Sequence, residues 1–234
     1  MKKNKDIEYK VSFTQTLKRN PYSGLYIAFE GIDGAGKSVQ VTHLDEYLKS
    51  VGKNTVVTFQ PRRDGPVGAL INDILQKKVK VPSVSLQYLY TADRIIDHIE
   101  RIEPALESGR IVLSHRCMWS NLPYGLFDEH IVDYDSNIAR VIDVAHGLLS
   151  LYHQFIVPDI TFYLRVTAEE VIRRLERKHE GLELYEKKSK MEKVAKGYEW
   201  QVKQFPDEFV IINGEQSEEK VADEVRSYME KALG

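Results

Sequence analysis

Five short apolar runs, each with the length of a β-strand, recur along the chain at wide intervals. They span Leu25–Glu30, Thr55–Phe59, Ile111–Ser114, Ile160–Val166 and Phe209–Asn213. Each run is rich in β-branched or aromatic residues, and some are apolar at nearly every position. This pattern is typical of parallel strands that are covered on both faces of a sheet.

Longer segments with helical periodicity separate these runs. Residues 85–107 form the longest of them and lead to Gly109. Thr167 and Glu170 have the spacing of a capping box at the start of another helix. The first helix is predicted from an apolar face made by Val41, Leu44, Leu48 and Val51, with Gly52 ending it. The last helix is predicted to start at Ser217 and to bury Val221, Val225 and Met229.

Strands that alternate with helices pair in parallel through right-handed crossovers. We therefore expect an α/β chain with a three-layer fold, in which helices flank a five-stranded parallel sheet. The sequence contains no internal repeat or low-complexity linker, which predicts a single domain over residues 23–234. The polar and basic residues 1–22 are predicted to form an N-terminal arm. Ligands of such folds bind at the carboxyl ends of the strands.

Composition narrows the class of protein. The formal net charge of −2 argues against a general binder of nucleic acid or of membrane surfaces, since these are usually basic. The single cysteine excludes an intrachain disulfide and favours a reducing, cytoplasmic location. No apolar stretch approaches the length of a transmembrane helix, so no membrane span is expected.

The segment after the first strand is a phosphate-binding motif. Residues 31–38, GIDGAGKS, match G-x-x-x-x-G-K-[ST] in full, between a predicted strand and a predicted helix. Lys37 is expected to reach the β- and γ-phosphates of ATP, and the Ser38 hydroxyl is expected to bind Mg²⁺. The predicted ATP-binding residues are Gly31, Ile32, Asp33, Gly34, Ala35, Gly36, Lys37 and Ser38.

This motif alone leaves the reaction open. A GTPase switch would need an N-K-x-D-type guanine-reading segment, and an AAA-type ATPase would need an acidic pair at the end of a strand; neither is present in the sequence. The small size favours a kinase that acts on a small molecule.

Several blocks, in order and at the right spacing, resemble the thymidylate kinase family. They are FEGIDGAGKS, TFQPRRDGPVG, LYTADR, VLSHR, PDITFYLRVTAEEVIRRLER and LYEKKSKMEKVAKGY, and together they cover residues 25 to about 230. The resemblance implies a P-loop kinase that transfers the γ-phosphoryl group of ATP to dTMP, giving dTDP and ADP, with Mg²⁺ as cofactor. It also implies a homodimer, for which the helix at 85–107 is a candidate interface.

The resemblance assigns roles in binding the acceptor. It implies that Asp33 binds the 3′-hydroxyl of the deoxyribose, that Tyr90 stacks on the base and that Arg94 hydrogen-bonds its edge. Aligning Gly68 with the family's glycine makes Arg63 the ligand of the acceptor phosphate, with Arg62 as the alternative. The remaining implied substrate-binding residues are Arg116 at the phosphate, Ser120 and Tyr124 beside the base, and Tyr185 at the 2′ position.

The segment around 173–190 resembles the family's lid. The phosphate loop has no arginine between Asp33 and Gly36, and in that branch of the family the lid supplies the transition-state charge. Arg177 is the expected catalytic lid residue, with Arg174 as the rival, and it is expected to act with Lys37 and Arg116.

Three positions near the acceptor depart from the family's pattern. Gln60 and His115 stand where the family has acidic residues, and Gly125 stands where it has glutamine. The imidazole of His115 supplies no negative charge to a magnesium site. These departures leave open a related nucleotide kinase with another acceptor, or a nucleotide-binding paralogue with little turnover.

Overall fold

A computed structural model describes residue 14 and residues 16–128, 138–176 and 184–233. All five predicted strands are present, with bounds that differ from the prediction by one residue at most. They are β1 Leu25–Glu30, β2 Thr55–Phe59, β3 Ile111–His115, β4 Ile160–Arg165 and β5 Val210–Asn213.

The strands form one five-stranded sheet in the order β2-β3-β1-β4-β5, and every pair is parallel. β1 lies at the centre, where Ile27, Ala28 and Phe29 are fully buried. His115 aligns with both Phe29 and Phe59 across the sheet, so the carboxyl ends of β1, β2 and β3 lie level. The predicted α/β class, with a five-stranded parallel sheet flanked by helices, is confirmed.

Helices occupy both faces of the sheet. Those in the described part of the chain are α1 Lys37–Ser50, α2 Gly65–Leu75, α3 Ser83–Asp97, α4 Glu103–Glu107, α5 Asn121–Asp128, α6 Ile138–Ser150, α7 Ala168–Glu176, α8 Leu184–Gln204 and α9 Glu218–Leu233. Helices α1 and α9 pack together, and α3, α5 and α8 form a second packed group. This arrangement follows from right-handed crossovers, because the chain leaves β1 in one direction along the sheet and leaves the later strands in the other.

The apolar face predicted for α1 is shorter than expected. Val41, Leu44 and Leu48 are buried, but Val51 is 49% exposed. The helix ends at Ser50, and Gly52 adopts a positive φ of 77° while its N–H bonds back to the Lys49 carbonyl. This left-handed cap turns the chain before Val51 reaches the core.

The predicted helix at 85–107 is present but not uniform. α3 leads into a π-helical segment, His98–Ile102, and then into α4. A π segment adds one residue to each hydrogen-bonded turn and so shifts the face that the following residues present. Apolar periodicity could not show this shift.

The capping box at the start of α7 is only half formed. The Thr167 hydroxyl accepts a hydrogen bond from the Glu170 N–H at 3.2 Å, as predicted. The reciprocal acceptor for the Thr167 N–H is Glu215, at 3.0 Å. Glu170 pairs instead with Arg173 and Arg174, whose positive charges attract its carboxylate more strongly than a backbone N–H does.

The last helix and the beginning of the described chain both pack against the hydrophobic core. Val221, Val225 and Met229 of α9 are buried, as predicted, and the Ser217 carbonyl accepts the Val221 N–H. In residues 16–22, which belong to the predicted arm, Lys18 forms a parallel bridge with Ile156. No helix in the described ranges combines the length and apolar composition needed to cross a membrane.

Candidate active site

The candidate site lies where the sheet's connections diverge. β1 and β3 are neighbours, but the chain leaves them toward opposite faces of the sheet, which opens a crevice at their carboxyl ends. The loop 31–36 leaves β1 on one side of this crevice, and Arg116 leaves β3 on the other. Topology therefore brings Asp33 of the loop together with Arg116, although 83 positions separate them in sequence.

The loop backbone requires glycine. Gly31, Gly34 and Gly36 have φ values of 140°, 82° and 97°, in a region that residues with a Cβ rarely adopt. A Cβ on Gly34 would also lie 2.5 Å from Cγ1 of Val171 in α7. The loop can therefore turn its backbone N–H groups inward at the N-terminus of α1, where the helix dipole favours an anion.

Lys37 is folded back onto this loop. Its Nζ donates hydrogen bonds to the carbonyls of Gly31 and Ile32, at 3.0 and 2.8 Å. Burial, with the nearby charge of Arg116, lowers the pKa of Lys37 to about 7 against the opposing effects of Asp33 and Glu30. The ammonium group is thus held at the loop, ready to exchange carbonyl partners for phosphate oxygens.

The donor set for a magnesium ion is small. Ser38 is exposed at the start of α1. Within the described ranges, no group of three or more His, Cys, Asp or Glu side chains could hold a metal ion. One hydroxyl beside a phosphate loop fits Mg²⁺, which keeps several waters and binds largely through substrate phosphates.

Asp33 faces away from the loop interior and pairs with Arg116. Its Oδ1 accepts a hydrogen bond from Arg116 Nη2 at 2.6 Å. Neighbouring protein atoms disfavour ionisation of Asp33, but the charges of Arg116 and Lys37 outweigh this effect and lower the pKa of Asp33 to about 2. The carboxylate is therefore ionised at neutral pH and points toward the crevice rather than toward bound phosphate.

Arg116 is fixed from behind by a buried acid. Its Nη1 donates to the hydroxyls of Ser120 and Tyr198, at 2.8 and 3.1 Å. Both hydroxyls donate in turn to Oε2 of Glu30, at 2.6 and 2.7 Å, and Glu30 is fully buried. Arg116 also has a positive φ of 72°, which is unusual for a residue with a side chain. Such a conformation persists only where surrounding contacts hold it.

A cleft of about 160 Å³ opens in front of this network. Six of the predicted substrate-binding residues line it: Asp33, Tyr90, Arg94, Arg116, Ser120 and Tyr124. Pro61, Leu75, Asn121 and Lys190 complete its wall. One cleft thus combines aromatic rings, two guanidinium groups and a carboxylate, which suits a flat polar ring carried on an anionic sugar phosphate.

Tyr90 and Arg94 lie one turn apart on α3, and the guanidinium carbon of Arg94 is 5.7 Å from the centroid of the Tyr90 ring. Arg94 is almost fully buried, and Nε donates to Gln60 Oε1 at 2.9 Å. Its Nη1 donates to Asn121 and Tyr152. The guanidinium plane is therefore fixed by protein contacts at the wall of the cleft.

The two arginines after β2 have different surroundings. Arg62 is buried and bonds to Glu100 at 2.7 Å, with Asp64 3.5 Å away. Arg63 is exposed and stacks over the Phe59 ring at 4.4 Å. Because carboxylates already neutralise Arg62, Arg63 is the better candidate for binding an anionic ligand. Arg63 lines a second groove of about 420 Å³ together with His115.

Only part of the predicted lid, around residues 173–190, lies within the described residues. Arg174 donates to Glu170 at 2.7 Å and to the Gly214 carbonyl at 2.7 Å, and Arg173 pairs with the same Glu170. Both line a groove of about 390 Å³ beside the phosphate loop. Arg177 lies outside the described residues, as does the side chain of Tyr185, although Tyr185 belongs to α8.

Sequence reasoning missed several residues of the site. Glu30 directly precedes the phosphate loop, and an acid ending an otherwise apolar strand was the available signal. Tyr198 ends the block LYEKKSKMEKVAKGY, and its contact with Glu30 spans 168 positions. Asn121 follows the predicted Ser120 directly and lies 2% exposed at the cleft wall.

Comparison with known proteins agrees with this geometry. A family model described as thymidylate kinase matches residues 29–225. A thymidylate kinase of Thermoanaerobacter sp. strain X514 is 34% identical over 211 residues, covering 90% of this chain and 99% of the relative. One of Tropheryma whipplei strain Twist is 30% identical over 212 residues, covering 90% and 98%. A putative thymidylate kinase of Treponema pallidum strain Nichols is 34% identical over 178 residues, covering 74% and 77%.

Proposed function

Since the chain belongs to the thymidylate kinase family, we propose that it transfers the γ-phosphoryl group of ATP to dTMP, giving ADP and dTDP. The observation that carries the proposal is the single cleft that joins Asp33, Arg116, Tyr90 and Arg94 beside the phosphate loop. A phosphate loop alone holds a donor nucleotide. The adjoining cleft, with groups suited to a base, a sugar hydroxyl and a phosphate, can bind the acceptor nucleotide.

The pairing of Asp33 with Arg116 fits this role. The two charges neutralise each other at 2.6 Å. A bound nucleoside monophosphate offers each of them a better-matched partner, a sugar hydroxyl for Asp33 and a phosphate for Arg116. Acceptor binding therefore opens the ion pair without leaving either charge unpaired.

Catalysis would consist of positioning and charge neutralisation. Lys37 approaches the transferred group from the donor side and Arg116 from the acceptor side, so their charges offset the repulsion between two phosphates. Phosphate binding favours the protonated form of Lys37, whose pKa is lowered to about 7. Mg²⁺, held by Ser38 and by the nucleotide, would add charge neutralisation at the phosphates.

We also propose that Arg63 binds the acceptor phosphate, because Arg63 is exposed while the neighbouring Arg62 is neutralised by Glu100. We further propose that the chain forms a homodimer through α3 and the adjoining π segment, where Tyr88 and Ile99 are 62% and 64% exposed. Sedimentation measurements of the oligomeric state test this.

We propose a cytoplasmic location, which is supported by a single, buried and free cysteine, Cys117. Cell fractionation tests this location.

The deciding experiment compares initial rates with dTMP, dUMP, dGMP and thymidine at fixed ATP and Mg²⁺. We expect dTMP to be preferred, and thymidine to be inert because it offers Arg63 and Arg116 no phosphate. Equal rates for all four acceptors would reject the proposal, and ATP binding without ADP formation would favour a non-catalytic paralogue. In the same assay, Arg177→Ala should lower kcat far more than Arg174→Ala, since Arg174 already bonds to Glu170 and Gly214.

A further inference from the structure

A buried chain of polar contacts runs from α3 through the loop after β2 to the base-facing arginine. Asp97 is fully buried and accepts hydrogen bonds from Thr58 at 2.8 Å and from Gln60 Nε2 at 3.1 Å. Gln60 is 2% exposed, and its Oε1 accepts from Arg94 Nε at 2.9 Å. The amide of Gln60 therefore bridges a carboxylate and a guanidinium.

Chemistry fixes the orientation of this amide. Arg94 Nε can only donate a hydrogen bond, and an ionised Asp97 can only accept. Of the polar side chains of this length, only an amide offers an acceptor to one neighbour and a donor to the other without taking up a proton. A glutamate at position 60 would satisfy Arg94 but would place two buried carboxylates against each other, which is unfavourable.

The consequence reaches the cleft through Arg94. Gln60 holds Nε, while Asn121 and Tyr152 hold Nη1. None of the described residues accepts a hydrogen bond from Nη2, and Arg94 lines the cleft. With two of its three nitrogens fixed, the guanidinium presents the remaining donor edge in one orientation, as required for reading the edge of a base.

We infer that Asp97 and Gln60 form a relay that positions Arg94 for recognition of the acceptor base, so that Gln60 is a specificity-determining positioning residue. The inference rests on the proposed function for the identity of the ligand. It also gives the departure at Gln60 a physical reason: the amide at position 60 is matched to the acid at position 97, and the two residues act as a pair.

The test exchanges the amide at position 60 and the carboxylate at position 97, first singly and then together. Gln60→Glu alone brings together two buried carboxylates at pH 8. Asp97→Asn alone keeps the contacts satisfied, because its amide oxygen can accept from Gln60 Nε2 while its amide nitrogen donates to the Thr58 hydroxyl, which can also accept. We expect Gln60→Glu to raise the KM for dTMP about tenfold, the effect of one lost buried hydrogen bond, and Asp97→Asn to stay near the wild-type value, with the KM for ATP unchanged in both. The double variant Gln60→Glu/Asp97→Asn restores the pattern, because the new amide at position 97 can donate to the new carboxylate at position 60, which can still accept from Arg94. Its KM for dTMP should return to within about threefold of wild type.

A matched control changes an acid on the same helix that is outside the relay. Asp93 is buried on α3 and accepts the Arg62 N–H at 2.8 Å, an interaction that asparagine can also make. Asp93→Asn should leave the KM for dTMP near the wild-type value and should fail to rescue Gln60→Glu. Rescue by Asp93→Asn would show a general effect of removing charge and would overturn the relay.

Urea unfolding of the same variants separates this inference from the proposed function. The relay predicts that the double variant is more stable than the sum of the single effects, whatever the substrate. Additive losses in stability, or KM values for ATP and acceptor that rise together, would overturn the inference. If wild type does not phosphorylate dTMP, the proposed function is rejected, but the coupling between Gln60 and Asp97 can still be tested. The KM comparison is then made with whichever acceptor of the panel is used, and unfolding still decides whether the pair is coupled.

Discussion

His115 ends β3 beside the phosphate loop, and its imidazole is neutral at physiological pH. Burial, together with the charges of Lys37 and Arg116, lowers the pKa of His115 to about 3. The ring packs against Phe59, with centroids 5.5 Å apart. A neutral ring at this position adds no charge to a magnesium site, so the nucleotide phosphates and Ser38 would have to hold the ion.

Replacing His115 with aspartate tests this interpretation. His115→Asp adds an oxygen anion close to the positive charges of Lys37 and Arg116, where it can bind a magnesium-bound water. We expect the Mg²⁺ concentration for half-maximal rate to fall by roughly tenfold, as is usual for an outer-shell carboxylate. The measurement is the initial rate against free Mg²⁺ at saturating nucleotide.

The control for this variant is His115→Asn, which is polar but uncharged. It should leave the Mg²⁺ dependence at the wild-type value. If aspartate and asparagine behave alike, the missing charge at position 115 has no part in metal binding, and packing against Phe59 is the remaining role of the ring.

At the scale of single residues, the resemblance to the family indicates which side chains bind the acceptor but not what holds them in place. It assigns Asp33, Tyr90, Arg94 and Arg116 to the acceptor, and these four residues line one cleft. Glu30 is visible in the sequence as an acid at the end of an apolar strand, but its role depends on Tyr198, which lies 168 positions away. Contacts of this range follow from the fold and leave no local pattern in a single sequence.

At the scale of elements, the pairing of α5 with α6 explains why glycine occupies position 125. A Cβ there would lie 2.5 and 2.9 Å from the two terminal carbons of Leu148 in α6. The surrounding cluster contains Leu122, Leu126, Val141 and Ala145, all buried. Glycine thus leaves room for the Leu148 side chain, whose terminal carbons would have to shift to admit a larger residue at position 125.

This close approach predicts a coupled effect on stability. Gly125→Gln gains about 1 kcal/mol of helix propensity but overpacks the interface by roughly 1–3 kcal/mol, so we expect a net loss near 1 kcal/mol. Adding Leu148→Ala removes the obstructing carbons. The double variant should therefore be more stable than the two single losses predict, as measured by urea unfolding.

Additivity of the two changes would contradict the close contact between α5 and α6. Ile142→Ala is a suitable comparison, since Ile142 also lies on α6 but is 52% exposed. Combined with Gly125→Gln, this variant should show no coupling.

Helix ends and irregularities show how far the sequence predicts elements. Apolar runs located every strand to within one residue, because burial on both faces leaves a strong pattern. The pattern did not predict the π segment at His98–Ile102 or the exposure of Val51. Both depend on backbone hydrogen bonds, and side-chain periodicity records those only indirectly.

At the scale of the whole molecule, a buried histidine joins the π segment to the segment just before β4, which is distant in sequence. His98 is 4% exposed, and its Nε2 accepts the Ile156 N–H at 3.0 Å, just before β4. Its ring meets Tyr26 and Phe155 edge-on, at 6.1 and 5.1 Å. Burial, with the charge of Lys18 nearby, lowers the pKa of His98 to about 4.

This geometry predicts how stability depends on pH. The pKa of His98 is lower in the folded state than the ordinary value of 6.5, so the unfolded chain binds more protons between pH 4 and pH 6.5. Stability is therefore fully present above pH 6.5 and falls as the pH drops through this window. The loss attributable to His98 is on the order of 3 kcal/mol, since each pKa unit corresponds to about 1.4 kcal/mol.

The variant His98→Gln tests this prediction because its amide oxygen can still accept the Ile156 N–H but does not titrate. We expect urea unfolding between pH 7 and pH 4 to show a shallower loss of stability than in wild type. A residual slope should remain, since the pKa of His115 is also lowered, to about 3. Met229→Ala is the packing control: it removes a fully buried side chain of α9, outside the ring contacts of His98, so it should lower stability at every pH and keep the wild-type slope. If stability falls with pH as steeply in His98→Gln as in wild type, the titration of His98 is not the cause of the acid sensitivity, and its hydrogen bond to Ile156 is only structural.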